Sequence, residues 1–298
     1  MSGASTFSSW FHAARPKTLA AALVPVFLGS ACAAVDGKFS PLPALFALLF
    51  ALLVQICCNF ANDYGDFAKG ADTPARLGPA RAVLSGWISP RAMRRAILLV
   101  SALAFLAGLP LVYWGGWWLL PVGLLCLLAC LAYTGGPLPL AYNGLGDIFV
   151  IAFFGFVAVA FTAYVQCGYF PPPVWPAGLA CGLLATNILV VNNARDRETD
   201  ALAGKRTTAV IFGRNFARGE YVVNLLVAFL VPVFLRLQGF GQQVLFPLLL
   251  APAALMLARG FLRVRDPHDY NPYLGKTAAF LFAYGLLLGG GLILCADL

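Results

Sequence analysis

The sequence predicts an all-α polytopic membrane protein with about nine transmembrane helices, and three observations carry the prediction. Of 298 residues, 61% are apolar and only 11% charged, at a mean hydropathy of +0.83, whereas soluble domains run at roughly 45–50% apolar and about 25% charged. Nine apolar runs follow one another along the chain. The cations gather in alternate connections between them. Together these exclude a soluble enzyme, a disordered chain and a disulfide scaffold. With about 20 residues needed per span, residues 1–298 read as a single transmembrane domain with no sizeable extramembrane part.

The runs lie at 19–35, 42–62, 96–113, 117–133, 147–165, 174–192, 221–236, 243–259 and 277–295. Arg15 and Lys17 precede the first, and its Ala31-Cys32-Ala33 imitates a secretory cleavage site. The run is kept as a span because the Arg-Pro-Lys-Thr segment before it forms part of the chain's resemblance to a known family. The second run leads straight into the acid-rich segment 59–72, and the sixth into 192–207. The third and fourth are joined by Trp114, Gly115 and Gly116, flanked by Tyr113, Trp117 and Trp118, an aromatic belt expected at a membrane–water interface.

With nine spans, all Lys and Arg except Lys38 and Arg236 fall on one side. The positive-inside rule then places the N-terminus in the cytoplasm and the C-terminus across the cell (inner) membrane. The same segregation accounts for the net charge of +8 without nucleic acid. The eight cysteines lie in or beside apolar runs with no CxxC pair, and His12 and His268 are far apart. Zinc spacing and a histidine triad are therefore absent.

The acids concentrate in two places. Asn59, Asn62, Asp63, Asp66 and Asp72 follow the second run, and Asn192, Asn193, Asp196, Glu198 and Asp200 follow the sixth. On a continued helix, Asn59, Asp63 and Asp66 share one face, as do Asn192, Asp196 and Asp200. Two carboxylates a turn apart at a membrane helix end repel unless a cation lies between them, which marks a functional site. All-oxygen ligands suit Mg²⁺ rather than zinc, with its remaining positions filled by water and phosphate. Arg and Lys in the same loops supply partners for a diphosphate. The spacing from Asp63 to Asp196 and from Asp66 to Asp200 repeats within one residue, and Tyr142-Asn143 is echoed by Tyr270-Asn271. Two pseudo-repeated four-helix units plus one extra helix would give this pattern. The Gly204-Lys205-Arg206-Thr207 segment is no P-loop, because Thr199 stands where its first glycine is required.

At these residues the chain resembles the UbiA-type membrane aromatic prenyltransferases, and within them the branch acting on 1,4-dihydroxy-2-naphthoate in menaquinone synthesis. The segments carrying the resemblance are Ala14–Leu19, Asn62–Asp66, Gly78–Arg81 with Ser85-Gly86, Tyr133–Pro137, Gly144–Gly146, Asn193–Thr207 and Asn271–Thr277. The third aspartate of the superfamily's first motif is Gly70 here, so Asp72 stands off the family position; Asp147 stands where this branch often has Glu. The 4-hydroxybenzoate branch tends to carry Tyr-Pro and Lys-Arg after the fourth span, where this chain has Tyr133-Thr134-Gly135-Gly136 and no cation.

The resemblance implies Mg²⁺-dependent transfer of a polyprenyl group from polyprenyl diphosphate to 1,4-dihydroxy-2-naphthoate, with loss of CO₂ and diphosphate. The phytyl donor stays open. The implied catalytic and metal ligands are Asp63, Asp66, Asp196 and Asp200, with Asp72 a further candidate. The implied substrate contacts are Asn59, Asn62, Arg15, Lys17, Lys69, Arg76, Arg81, Tyr133, Tyr142, Asn192, Asn193, Arg195 and Lys205. Pro16 fixes the backbone between Arg15 and Lys17, which makes these two candidates for the acceptor carboxylate and equally for the diphosphate. The expected partners are the two substrates and the bilayer, with no nucleic acid and no obligatory protein. The alternatives are another acceptor, 4-hydroxybenzoate or homogentisate, and a transporter of an anionic metabolite. A transporter would hold its acids at mid-span.

Overall fold

Prolines open several helical stretches: Pro41 and Pro90 sit in first turns, as do Pro252 and Pro272 of the α-helical stretches Ala251–Arg263 and Asn271–Ile293, where a missing N–H costs nothing. The computed structural model describes residues 6–73 and 76–295. Its principal helices are α1 (Thr6–Ala14), α2 (Ala20–Val35), α3 (Pro41–Ala68), α4 (Pro90–Gly108), α5 (Leu119–Ala132), α6 (Gly146–Cys167), α7 (Val174–Leu202), α8 (Arg214–Leu237), α9 (Gln242–Arg263) and α10 (Pro267–Ile293).

Among the described residues, six helices (α3 and α6 to α10) are long and apolar enough to cross a membrane. That corrects the expected nine. The other three apolar runs form shorter rods. At 1.5 Å per residue, α2 with 16 residues and α5 with 14 reach about 24 and 21 Å, short of the ~30 Å hydrocarbon core. Helix α4 has 19 residues, but Arg91, Arg94 and Arg95 occupy its start, and it ends at Leu109-Pro110. The first half of α9, Gln242–Leu250, is a 3₁₀ segment containing Pro247.

The larger core is built from Leu28, Leu184, Tyr221, Phe261, Tyr284 and Leu288, all at most 1% exposed. Several of its polar atoms are paired, as an apolar surround favours, though the Tyr270 hydroxyl has no partner among the described residues. The Tyr284 hydroxyl donates to Ala228 O at 2.5 Å, Asn187 Nδ2 to Tyr221 O at 3.0 Å and Asn224 Nδ2 to Asn187 Oδ1 at 2.9 Å. A smaller core joins α1, α3, α4 and α5 through Ala13, Cys57, Phe60, Met93, Ile97 and Cys130. Leu98, Leu106, Leu128, Leu226 and Leu230 point outward, as lipid-facing leucines do. All eight cysteines are free.

Helices α6 and α7 meet without side chains between them. A Cβ on Gly155 would lie 2.5 Å from Gly178 O, and one on Gly182 would lie 2.8 Å from Ile151 O. The contact falls within a π-helical stretch of α6, Ile151–Val157. Small residues admit this backbone-to-backbone approach in membrane helices.

Candidate active site where a polar and an apolar cavity meet

Helices α3 and α7, of 28 and 29 residues, end at the same place and carry the two aspartate motifs in their last turns. Asp63 and Asp196 each lie 22 residues beyond the first residue of their helix (41 to 63, 174 to 196). Both helices continue past the apolar runs, so the shared faces read from the sequence exist. Between them lies a polar cavity of about 120 Å³, lined by Asp66, Asp72, Asp147, Asp196 and Asp200 together with Arg15, Arg76, Arg81 and Lys205.

The carboxylates differ in what they hold. Asp63 is 1% exposed and accepts the backbone N–H groups of Ala82 at 2.9 Å and Val83 at 3.1 Å. It fastens the loop after α3 and does not line the cavity. Asp66 accepts from Arg81 Nη2 at 3.0 Å and from the Tyr142 hydroxyl at 2.9 Å, with Lys205 Nζ at 4.0 Å. Asp72 pairs with Arg76 and, at 3.3 Å, with Arg81 Nε. Burial pushes the Asp72 carboxyl up to about 6, against the pull of Arg76. Asp200 lies 3.7 Å from Lys205 Nζ. Burial works to discharge Lys205, but Asp66, Asp200 and Asp196 outweigh it and hold the ammonium above its ordinary range.

Asp196 receives a two-pronged bond from Arg195, 2.7 Å on each arm. Arg195 itself is 1% exposed and does not line the cavity. It also donates to Asn192 Oδ1 at 3.0 Å and to Asn271 Oδ1 at 3.1 Å, while Asn271 Nδ2 donates to Leu77 O at 3.1 Å. A Cβ on Gly78 would lie 2.5 Å from Arg195 Nη2, so any side chain there would push the guanidinium out of place.

Arg15 has φ 50° and ψ 68°, the one non-glycine in the left-handed region among the described residues. Such a conformation costs roughly 1–2 kcal/mol and is kept only where the surroundings impose it. Here Asn59 imposes it: its Nδ2 donates to Ala14 O at 2.9 Å and to Thr18 Oγ1 at 3.0 Å. Arg15 Nη2 is buried without a partner among the described residues, and burial lowers its pKa. The Lys17 side chain lies outside the described set.

The remaining expected residues divide. Asn62, Tyr133, Asn192 and Asn193 line the polar cavity. Tyr142 reaches it through Asp66, with its phenol pKa raised by burial and by that carboxylate. Lys69 lies over the Tyr142 ring at 5.6 Å, outside the lining. Sequence reading gave no site role to Asp147, noted only for its family position, or to Thr208, whose Oγ1 donates to Asp147 Oδ2 at 2.6 Å; the available signal was an acid opening a helix after Gly-Leu-Gly.

An apolar cavity of about 350 Å³ adjoins the polar one, walled by Pro25, Phe50, Phe105, Phe149, Phe153 and Phe161. Arg15, Asn62, Tyr133, Leu189 and Asn192 line both. A charged head and a long apolar tail can thus be held at once, with the bond between them at the joint. Among the described residues no three His, Cys, Asp or Glu form a ready metal cage. Paired carboxylates without a cage suit Mg²⁺, which takes one or two carboxylates and completes its shell with water and phosphate.

A model of the UbiA prenyltransferase family matches residues 22–284. A 1,4-dihydroxy-2-naphthoate octaprenyltransferase of Escherichia coli (strain K12) is 39% identical over 295 residues, covering 96% of this chain and 95% of its own. That of Mycobacterium tuberculosis is 36% identical over 287 residues, covering 96% and 97%. A solved UbiA homolog from Archaeoglobus fulgidus bound to DMAPP and Mg²⁺ shares the fold, with TM-score 0.63 at 18% identity over 94% of this chain and 99% of that one.

Proposed function

We infer the reaction from the premise that this chain belongs to the UbiA prenyltransferase family. It transfers a polyprenyl group from polyprenyl diphosphate to 1,4-dihydroxy-2-naphthoate, releasing diphosphate and CO₂ and using Mg²⁺. The observation that carries this reading is the joint of the two cavities, a basic and acidic chamber opening directly onto an apolar one. Two relatives of that named activity match nearly the full length.

Asp66, Asp196 and Asp200, no more than two to any one ion, would hold Mg²⁺, which when bound offsets the charge gathering on the departing diphosphate. Arg76, Arg81 and Lys205 bind the diphosphate oxygens. Asp63 holds the loop that carries Arg76 and Arg81 in register, and Arg195 orients Asp196. Tyr133, Asn62 and Asn192 border the reacting carbons, and the apolar cavity takes the tail and keeps water from the allylic centre. Arg15 binds the acceptor carboxylate through its unpartnered Nη2, with Lys17 in support.

Purified protein with Mg²⁺ should release diphosphate when offered a polyprenyl diphosphate and dihydroxynaphthoate, and much less with 4-hydroxybenzoate or homogentisate. Arg15→Gln should raise the acceptor KM at least about tenfold, a loss of ~1.4 kcal/mol, and leave the donor KM unchanged. Preference for another acceptor overturns the acceptor assignment; a rise in donor KM alone moves Arg15 to the diphosphate.

Residues 1–298 act as one transmembrane catalytic domain with two pseudo-repeated halves, each placing an aspartate motif at a helix end. The polar cavity faces the cytoplasm of the cell inner membrane. Arg15 lies at that cavity, and Arg195 bonds Asn271 at the start of α10. That helix of 27 residues then runs about 40 Å away, which carries the C-terminus to the opposite side. The odd traverse comes from the shorter α2, which joins Arg15 at the cavity to the far end of α3. Cysteines introduced in 77–89 should react only with reagent supplied from the cytoplasmic side; labelling from outside overturns this orientation.

A further inference from the structure

The polar cavity holds one carboxylate that neither aspartate motif supplies. Asp147, the second residue of α6, is 5% exposed and lines the cavity. The other four acids of the lining each pair with an Arg or Lys. Among the described residues Asp147 pairs with none. Thr208 fixes its Oδ2 at 2.6 Å. Its Oδ1 is buried with no hydrogen-bond partner among the described residues. An orphaned buried acceptor costs about 1–3 kcal/mol and more when charged, so a donor arriving with substrate would find it unsatisfied and fixed in place. Its neighbours place it near the joint: a Cβ on Gly146 would lie 3.1 Å from the Tyr133 hydroxyl and 3.3 Å from Leu189 Cδ2, and Tyr133 and Leu189 line both cavities.

We propose that Asp147 is a catalytic residue, whose Oδ1 takes the proton of the acceptor hydroxyl adjacent to the attacked ring carbon. This rests on the acceptor being a hydroxylated aromatic acid. The donor's allylic C–O bond breaks, and its electron pair leaves with the diphosphate. A ring π pair forms the new C–C bond at the carboxyl-bearing carbon. The O–H pair of the neighbouring hydroxyl becomes a carbonyl π bond as its proton passes to Asp147. The result is a β-keto acid, which loses CO₂; the pair released returns to the ring and leaves an oxyanion on the former carbonyl. Asp147 returns the proton there. The ring is again a hydroquinone, Asp147 is again a carboxylate, and diphosphate and CO₂ are the only by-products.

The test compares full-length wild type, Asp147→Asn and Asp147→Glu, with the phenolic acceptor that the wild type prenylates. The Asn variant should lose about 100-fold or more in kcat, the usual scale for a general base. Its donor KM, and its affinity for an unreactive thiodiphosphate analogue of the donor, should stay within about threefold. The Glu variant should keep more than about a tenth of the wild-type rate. An Asn variant within about threefold of wild-type kcat overturns the proposal, as does a Glu variant no better than Asn. Loss of analogue binding in step with kcat also overturns it, because that marks a structural group. If the wild type rejects dihydroxynaphthoate but accepts another phenol, the acceptor assignment fails and the Asp147 comparison still decides its own question.

Discussion

Asp66→Asn is expected to cost at least about 1,000-fold in kcat/KM, or ~4 kcal/mol of transition-state stabilisation, in protein that still folds into the membrane. Asp66 is the point where Arg81, Tyr142 and Lys205 converge on the cavity. Asparagine keeps its shape and an acceptor for Tyr142 but removes the charge that holds a metal ion and aligns two cations. No neighbour can take over. Asp63, three residues earlier, has both oxygens engaged by the amides of Ala82 and Val83. A variant retaining more than about a tenth of the wild-type rate, a loss under ~1.4 kcal/mol, would remove Asp66 from the reaction.

Arg195→Met should have the largest effect on stability. The guanidinium is 1% exposed and joins Asp196, Asn192 and Asn271 beneath Gly78. Its removal leaves a carboxylate and two amide oxygens short of a donor. Breaking a buried pair from one side costs about 3–5 kcal/mol, and the partly open Asp196, 15% exposed at its side chain, argues for the lower figure. At about 2–4 °C per kcal/mol for a chain of this size, the temperature of thermal inactivation should fall by roughly 6 °C or more. Arg195→Lys keeps the charge but not the fork, and should recover only part of this. Inactivation unchanged to within about 1 °C for the Met variant would contradict the assigned role.

The sequence disclosed the aspartate face of each helix because helical spacing and the two-motif repeat are local patterns. It did not disclose that Asp63 and Asp66 diverge. On a helix they are equivalent neighbours, and only amides 19 and 20 residues away, brought back by the loop, separate them. Arg195 read as a substrate contact for the same reason: nothing in its surroundings along the chain announces the cover provided by Gly78 and Asn271. The count of spans erred in another way. Apolar runs report the chemistry of a segment, whereas crossing depends on unbroken helix length, which Pro110, the three arginines of α4 and the 14 residues of α5 cut short. Asp147 reads in the sequence only as standing where the branch often has Glu, and draws no role because a single acid at a helix start is ordinary; its unpaired oxygen is what sets it apart.

The glycine seam between α6 and α7 sets a tolerance for the reaction. Asp147 stands at the head of α6 and Asp196 near the foot of α7, so their relative height depends on how these two rods are indexed against each other. Side chains in a crossing can repack and let helices slide. Here the backbones of Gly155, Gly178 and Gly182 interlock directly, and slippage by one residue would displace one carboxylate about 1.5 Å along the axis. Misplacement of about 1 Å is enough to cost some 100-fold in a reaction governed by alignment. The seam, deep in the apolar part of the bundle, therefore acts as a gauge for groups it never touches.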